Sequence, residues 1–367
     1  MTPQRIAFLL PHFRAGGAER VVLNYLTALD RDRFTPHLFL TRVEGPFLAR
    51  LPADVIPIAL GGHRALHLPH HIAAALANHD IALAYSATNA MNLALLAARS
   101  GKRTVRIVSE HTPPHHYLAT AKLPWIRQRA MRWLYPRATA IVVPTGRIAA
   151  DLAEVIGRPI GTRILPNPVV ASVVSSLPVR TPGRPPRIVS VGRLVTAKGF
   201  DTLVDACVLL RAAGTEFRLD IFGDGPLRRD LQARIDDDDL GNAVTLKGHA
   251  DNVTAAIADA DLFVLASRRE GFGNVLIEAM AAGVPVLAAA AGGPQTFIRD
   301  GVNGFLVEPD NPLGLAADIT RLLSDRAMLD AVRGPALETA RNFTIDDATR
   351  HFEALASELL AARSTPG

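Results

Sequence analysis

The chain has 367 residues, 49% of them apolar and 5% aromatic, with a formal net charge of +5. That length predicts two domains, each able to bury a sizeable core, and excludes a disulfide-stapled mini-protein. The single cysteine, Cys207, rules out a disulfide within the chain and fits a reducing compartment.

Along the first half, strand and helix patterns alternate. Residues 5–10 read as a strand, Gly16-Gly17 as a turn, and 18–29 as a helix with Val21, Val22, Tyr25 and Leu26 inward. Strands follow at 37–41, 81–85, 103–110 and 140–144, with helices at 71–77, 90–98 and 147–156. Such alternation predicts a doubly wound parallel sheet. The apolar stretch 6–10 is stopped by Pro11 and His12 and does not make a secretory signal. Residues 81–98 lack charge, but Ser86, Thr88, Asn89 and Asn92 interrupt them, so strand, turn and helix are expected rather than a membrane span. A soluble, cytoplasmic chain is the expectation.

The basic excess is concentrated. From 99 to 137 there are nine Lys or Arg against one acid, Glu110. Lys122, Arg127, Arg129, Arg132 and Arg137 are interleaved there with Trp125, Trp133, Leu134 and Tyr135. Basic residues mixed with aromatics suit an anionic membrane surface. The plainer reading is a helix whose cations snorkel. No nucleic-acid motif accompanies the segment, and no nucleic-acid partner is expected. The histidine pairs His70-His71 and His115-His116 read as surface loop residues rather than zinc ligands, and no metal is expected.

Residues 167–186 have no helical period. Pro178, Pro182, Pro185 and Pro186 mark an interdomain linker at 171–186. The second half restarts with a strand at 187–191 and a turn at Gly192. The next helix carries Phe200, Leu203 and Val204 on its apolar face. Arg193 and Lys198 therefore fall at the C-terminal edge of a parallel strand, where open α/β sheets bind ligands. Arg can fork onto a phosphate and Lys adds a point charge. Strands are predicted at 218–222, 244–247, 262–266, 284–288 and 304–307, and a final helix at 345–362. The acidic run 236–239 lacks calcium-loop spacing and reads as a solvated helix end.

The densest signal is the run from Arg268 to Glu278, RREGFGNVLIE. Glu270 and Glu278 flank the turn Gly271-Phe272-Gly273-Asn274, and Val275 opens a helix that stops at Gly283-Val284-Pro285. A helix N-terminus has free N–H groups and a partial positive charge, which suits a phosphate. The glycines let a backbone approach closely. Carboxylates beside a phosphate accept hydroxyls rather than bind the anion. Phosphate on one side and sugar hydroxyls on the other describe a sugar nucleotide. The plainer reading is two solvated helix-end acids.

In these features the chain resembles the retaining glycosyltransferases of GT-B fold, glycosyltransferase family 4. The matching segments, in the family's order, are Gly16-Gly17-Ala18-Glu19-Arg20, Ser109-Glu110-His111, Pro166-Asn167-Pro168-Val169, the Gly192 to Lys198 turn, Phe222-Gly223-Asp224-Gly225-Pro226-Leu227, the two-glutamate unit and Gly292-Gly293-Pro294. The resemblance implies an α/β fold of two Rossmann-like doubly wound domains facing a cleft. The N-terminal, acceptor-side domain would cover 1–170, and the nucleotide-sugar domain 187–344. The helix at 345–367 would pack back on the first domain.

The resemblance also implies roles. Glu278 would bind the ribose hydroxyls and Glu270 a hydroxyl of the donor sugar. Arg193 and Lys198 would stabilise the departing diphosphate without a metal. Gly16, Gly17, Gly192, Gly223 and the segment Gly271, Phe272, Gly273, Asn274 and Val275 would line the nucleotide-sugar site. Arg20 would add phosphate charge, while Glu19 can be a simple first-turn acid. His111 would lie near the reacting sugar. No further carboxylate is suggested as a nucleophile for double displacement, and the family's same-face mechanism is implied instead. One departure is Gln295-Thr296, where many relatives carry an acid. Trp125, Arg127, Arg129, Arg132 and Trp133 form the membrane or acceptor side. Asn274 favours UDP.

The expected function is transfer of a hexose or N-acetylhexosamine from a UDP-sugar to a glycolipid or oligosaccharide acceptor in envelope polysaccharide or lipopolysaccharide synthesis. The enzyme would work at the inner face of the cytoplasmic membrane. A GT-B sugar-nucleotide epimerase and a non-catalytic nucleotide-sugar-binding partner protein are the alternatives. A nicotinamide oxidoreductase is disfavoured, because the first glycine turn lacks the third glycine of G-x-G-x-x-G.

Overall fold

The computed structural model describes all residues except 1, 15, 62–66, 100–103, 120, 178–182, 251 and 365–367. The expected strand start at Arg103 and the linker prolines Pro178 and Pro182 lie outside the described residues. The chain forms two compact units, Met1–Val169 with Ile345–Gly367, and Val170–Thr344.

The first unit contains strands β1 (Gln4–Leu10), β2 (Phe34–Leu40), β3 (Pro57–Ala59), β4 (Leu83–Ser86), β5 (Val105–Ser109), β6 (Ala140–Val143) and β7 (Arg163–Ile164). Its helices are α1 (Gly17–Ala28), α2 (Leu68–Asn78), α3 (Asn89–Ala97), α4 (Pro114–Ala119), α5 (Pro124–Leu134) and α6 (Gly146–Ile156). All pairings are parallel, in the order β3-β2-β1-β4-β5-β6-β7. The strands are short apolar runs because both faces are covered. In β1, Ile6, Phe8 and Leu10 enter one core and Ala7 and Leu9 the other, as a period of two requires. Helix α6 has its ends written in sequence: the Thr145 side chain accepts from the Ile148 N–H, and Gly157 closes the helix at φ +78°.

The second unit contains β8 (Arg187–Val191), β9 (Arg218–Phe222), β10 (Val244–Gly248), β11 (Leu262–Leu265), β12 (Val286–Ala289) and β13 (Phe305–Val307). Its helices are α7 (Phe200–Ala212), α8 (Arg228–Asp237), α9 (Val253–Ile257), α10 (Asn274–Ala281), α11 (Pro312–Ser324) and α12 (Arg326–Arg341). The sheet is parallel, in the order β10-β9-β8-β11-β12-β13. In both sheets the strand order therefore reverses beside the unit's first strand, at β1/β4 and at β8/β11. Those reversals are the topological switch points where such sheets bind ligands.

The last helix, α13 (Ile345–Ser364), belongs to the first unit. Its Phe352 stacks on Tyr25 with 4.8 Å between ring centroids and also meets Phe8 and Tyr85. Glu353 accepts from the Asp30 N–H at 2.7 Å. Val170 bridges Thr344, and the Val174 N–H donates to the Ala281 carbonyl, both within the second unit.

Helices α11 and α12 have no counterpart among the predicted elements. α12 carries Pro335 in its interior, which reads as a breaker. The histidine pairs lie in helices α2 and α4, not in loops. No helix among the described residues is long and apolar enough to cross a membrane.

Candidate active site

In the second unit, four connections converge on the β8/β11 switch point. After β8 the chain turns at Gly192, runs through a single 3-10 turn, Thr196–Lys198, and enters α7 at Gly199, whose φ is +64°. A Cβ at Gly199 would strike the Ala266 carbonyl, so only glycine lets this turn lie against the end of β11. Gly223, at φ +136°, lies equally close to the Gly192 carbonyl. The glycine at 223 thus satisfies the packing of β9 beside β8, a structural need.

Lys198 and Glu270 meet here. Lys198 Nζ lies 2.5 Å from Glu270 Oε2, with both side chains largely sheltered. The Ser267 hydroxyl donates to the same carboxylate oxygen at 3.3 Å. Glu270 is held from behind by its backbone: its N–H donates to the Ala291 carbonyl, and its own carbonyl accepts from the Gly293 N–H at 2.9 Å. A Cβ at Gly293 would come within 2.6 Å of the Phe272 backbone, and Gly292 stands at φ +108°. Arg193 is exposed beside this pair in sequence and makes no ion pair among the described residues.

Gly273, at φ +98°, is the cap of α10, and Asn274 and Val275 are its first residues. The Leu276 N–H donates back to the Gly273 carbonyl at 2.9 Å, closing the first turn of α10. Glu278, one turn further on, is 4% exposed, and Gly271 is half-buried in the bend before the helix. Phe272 sends its ring inward and packs on Phe297 and Phe343 with centroids 5.0 and 5.1 Å away, which leaves its backbone to the turn. Gln295 is exposed in the 3-10 turn Pro294–Thr296.

Sequence alone missed Arg268. Its guanidinium holds Asp201 at 2.6 and 2.8 Å, Asp310 at 2.7 Å, the Thr202 hydroxyl at 3.0 Å and the Thr196 carbonyl at 3.0 Å. The hydrogen bonds of Asp201 and Asp310 hold the guanidinium even more firmly charged than usual. One side chain thereby ties the β11–α10 loop to the Lys198 turn and the start of α7. Its partners lie 67 and 42 residues away in sequence, and no local pattern announces them.

In the first unit, the connection after β1 leads to Gly16 and the start of α1. Glu19 is buried and folds back over Gly16, and its Oε1 lies 3.4 Å from His12 Nδ1. Burial raises the Glu19 pKa, and burial aided by Arg14 and Arg42 lowers that of His12. Gly17 is exposed, with nothing within 4 Å of where a Cβ would sit. Arg20 is half-buried one turn into α1.

Beyond β5, His111 Nε2 lies 3.0 Å from the Ser109 hydroxyl and 3.4 Å from the Tyr85 hydroxyl. Burial pushes its pKa down to about 4, against a hydrogen bond with Asn167. The structure thus brings His111 together with the Pro166-Asn167-Pro168 segment.

Helix α5 presents Trp125 and Trp133 at 64% and 67% exposure, with Leu123 and Ile126 also outward. Arg129 is exposed and Arg127 half-buried. Arg132 is not free: its Nε donates to the Val155 carbonyl at the end of α6. Arg137 lies 3.6 Å over the Trp133 ring. Beside this surface, His115 of α4 contacts Asp151 of α6, with Glu154 3.8 Å from its other ring nitrogen. These three form the one metal-capable cluster among the described residues, and no sequence spacing had signalled it.

Comparison with known proteins agrees with the geometry. Residues 15–173 match the family model Glycosyltransferase Family 4, and residues 178–337 match Glycosyl transferases group 1. The chain belongs to the family-4-type glycosyltransferases of GT-B fold. It is 30% identical over 361 residues to an exopolysaccharide phosphotransferase of Streptomyces coelicolor, covering 95% of this chain and 36% of that one. It is 35% identical over 148 residues to the lipopolysaccharide core biosynthesis glycosyltransferase LpsE of Rhizobium meliloti, 40% of this chain and 42% of the relative. The chain therefore matches less than half the length of these curated relatives. Among solved structures, Anabaena HepE in complex with UDP and glucose superposes with a TM-score of 0.79 at 21% identity, covering 97% of this chain and 100% of that one. A glycosyltransferase from Rickettsia africae gives 0.83 at 18% identity, covering 98% and 99%. At these identities the likeness shows the fold.

Proposed function

We propose that the protein is a retaining, metal-independent glycosyltransferase that moves a hexose or N-acetylhexosamine from a UDP-sugar to a glycolipid or oligosaccharide in envelope polysaccharide synthesis. The observation that carries this reading is the Lys198–Glu270 pair at the β8/β11 switch point, beside an α10 N-terminus capped by left-handed Gly273 and followed by buried Glu278. A cation, a helix start and two carboxylates in that order suit a diphosphate with a sugar on each side. Glu278 takes the ribose hydroxyls. Glu270 exchanges its lysine for a donor-sugar hydroxyl, which frees Lys198 for the diphosphate as negative charge develops on it. Arg193 adds a second cation. Gly17 and His111 serve the same reaction from the first unit, Gly17 through its backbone N–H and His111 as a neutral hydrogen-bonding ring.

The relatives named for exopolysaccharide and lipopolysaccharide synthesis support the envelope pathway, and the HepE complex supports UDP as the nucleotide. The outward tryptophans and arginines of α5 support contact with the anionic inner face of the cytoplasmic membrane. Replacing Arg127, Arg129 and Arg132 by Glu is expected to abolish sedimentation with phosphatidylglycerol vesicles. Undiminished binding would remove the membrane from this reading.

The catalytic claim is tested by product analysis with each UDP-sugar, alone and with a membrane glycolipid extract. Transfer requires the acceptor and is lost in Glu270→Gln. A sugar altered in the absence of acceptor would instead identify an epimerase, and nucleotide binding without any product a non-catalytic partner.

A further inference from the structure

A buried carboxylate sits immediately before His111 and takes no part in the chemistry above. Glu110 is 2% exposed and extends β5, its N–H donating to the Val142 carbonyl at 3.1 Å. Its Oε1 accepts from Asn89 Nδ2 at 3.3 Å, Asn92 Nδ2 at 3.2 Å and the Tyr117 hydroxyl at 3.3 Å, and in a still shorter contact from the Tyr135 hydroxyl. Asn89 and Asn92 come from α3, Tyr117 from α4, and Tyr135 from the turn that ends α5. Two helices, the turn after α5 and one strand end are therefore joined through one oxygen atom.

Glu110 makes no ion pair among the described residues. A fully buried acid with only neutral partners is costly, and a strand needs none there for its fold. The turn these partners fix, between β5 and α4, is the one that carries His111. Asn92 Nδ2 also donates to the Ser109 carbonyl at 2.9 Å, and the Ser109 hydroxyl touches the His111 ring.

We propose that Glu110 is the positioning residue of the first unit's half-site: its carboxylate, gripped by Asn89, Asn92, Tyr117 and Tyr135, fixes the turn that presents His111 to the transferred sugar. The inference rests on the reading of His111 as a site residue.

The grip suits the ionised form, because all four neighbours donate and a protonated carboxyl would add a fifth donor. Burial opposes ionisation and wins, pushing the Glu110 pKa up to about 7. The other titratable groups facing the cage are Tyr117 and Tyr135, both pushed upward by burial and by Glu110, and Arg127 of α5, which acts on Tyr117. Tyr117 and Tyr135 stay neutral across this range, so the pH response of the cage belongs to Glu110. The carboxyl takes up its proton as the pH falls through that value, and the hydrogen bonding of the cage changes there.

The full chain is tested as Glu110→Gln, which keeps an accepting oxygen and the shape, and as Tyr135→Phe. Three signals are read: the UDP dissociation constant, the steady-state rate, and the His111 imidazole resonances by NMR from pH 5 to 9. Both variants are expected to keep the UDP dissociation constant, since nucleotide binding belongs to the second unit. Transfer should fall roughly tenfold to a hundredfold in kcat, the scale of a small misplacement. The His111 resonances, which step near neutral pH in the wild type, should lose that step in Glu110→Gln. Wild-type kcat and an unchanged His111 step in Glu110→Gln would overturn the proposal. So would joint loss of UDP binding and melting temperature, which would mark a merely structural acid. If the wild type transfers no sugar, the functional reading fails by the rate, and the His111 resonances still decide whether Glu110 positions that ring.

Discussion

Two adjacent glycines at the start of α1 show how one residue type serves two ends. A Cβ at Gly16 would collide with the Glu19 carboxylate, whereas Gly17 faces open space. An alanine at Gly16 would have to push the buried Glu19 carboxylate aside, whereas Gly17 is open to whatever approaches the helix start from outside. Gly17→Ala should keep or slightly raise the melting temperature, since Ala at a helical position is favoured over Gly by up to about 1 kcal/mol. It should nevertheless weaken transfer. Gly16→Ala should lower the melting temperature. Equal melting temperatures for the two variants would contradict this division.

Glu110 and His111 make a second residue-scale prediction. The folded pKa of Glu110, about 7, lies above its ordinary 4.5, so its contribution is full below 4.5 and is lost as pH rises through 7. His111 is the reverse. Its folded pKa, about 4, lies below 6.5, so its contribution is full above 6.5 and is lost as pH falls through 4. Between about pH 4.5 and 6.5 the two slopes oppose each other. Wild-type stability should therefore vary little there on their account. Glu110→Gln should make stability rise with pH across that window, and His111→Gln should make it fall, each by on the order of 2 kcal/mol. Chemical denaturation at pH 5 and pH 7 measures both signs.

At the scale of elements, the loop between β11 and α10 depends on a latch rather than on its own sequence. Arg268 joins it to Asp201, Asp310 and the Thr196 carbonyl. Both carboxylates are partly exposed, so water screens the ion pairs and they add little to stability. Arg268→Ala should cost the second unit 2–4 °C or so in melting temperature while weakening UDP-sugar turnover far more. Arg268→Lys should not rescue turnover, because a point charge cannot replace the fork. Loss of stability with intact turnover would mean that the latch is unconnected to the site.

This element also marks where the sequence is legible. Strand β11, the glycine turn before α10 and the start of α10 follow from periodicity and residue type; the contact between Lys198 and Glu270 does not. The Arg268 partners do not, because they are set by tertiary approach across 67 residues. The packing of Phe272 is silent for a related reason: nothing local shows that Phe297 and Phe343 lie against its ring. The Glu110 cage left one trace, a lone acid amid basic residues at the end of an apolar strand, but its donors come from separate helices.

For the molecule as a whole, the alternation of strands and helices was enough to give two doubly wound sheets. The short edge strands β3 and β7 and the Pro-bearing helix α12 were not, since two or three residues carry no period and proline argues against a helix. The central claim, that the second unit holds a nucleoside diphosphate through Lys198, the α10 N-terminus and Glu278, is tested most directly by melting the protein with UDP, GDP, ADP and CDP. At a hundred times its dissociation constant a nucleotide adds about 2.7 kcal/mol, a shift of several degrees. UDP alone should produce it, and Glu278→Ala should abolish it. No shift with any of the four nucleotides, or an undiminished shift in Glu278→Ala, would contradict the account.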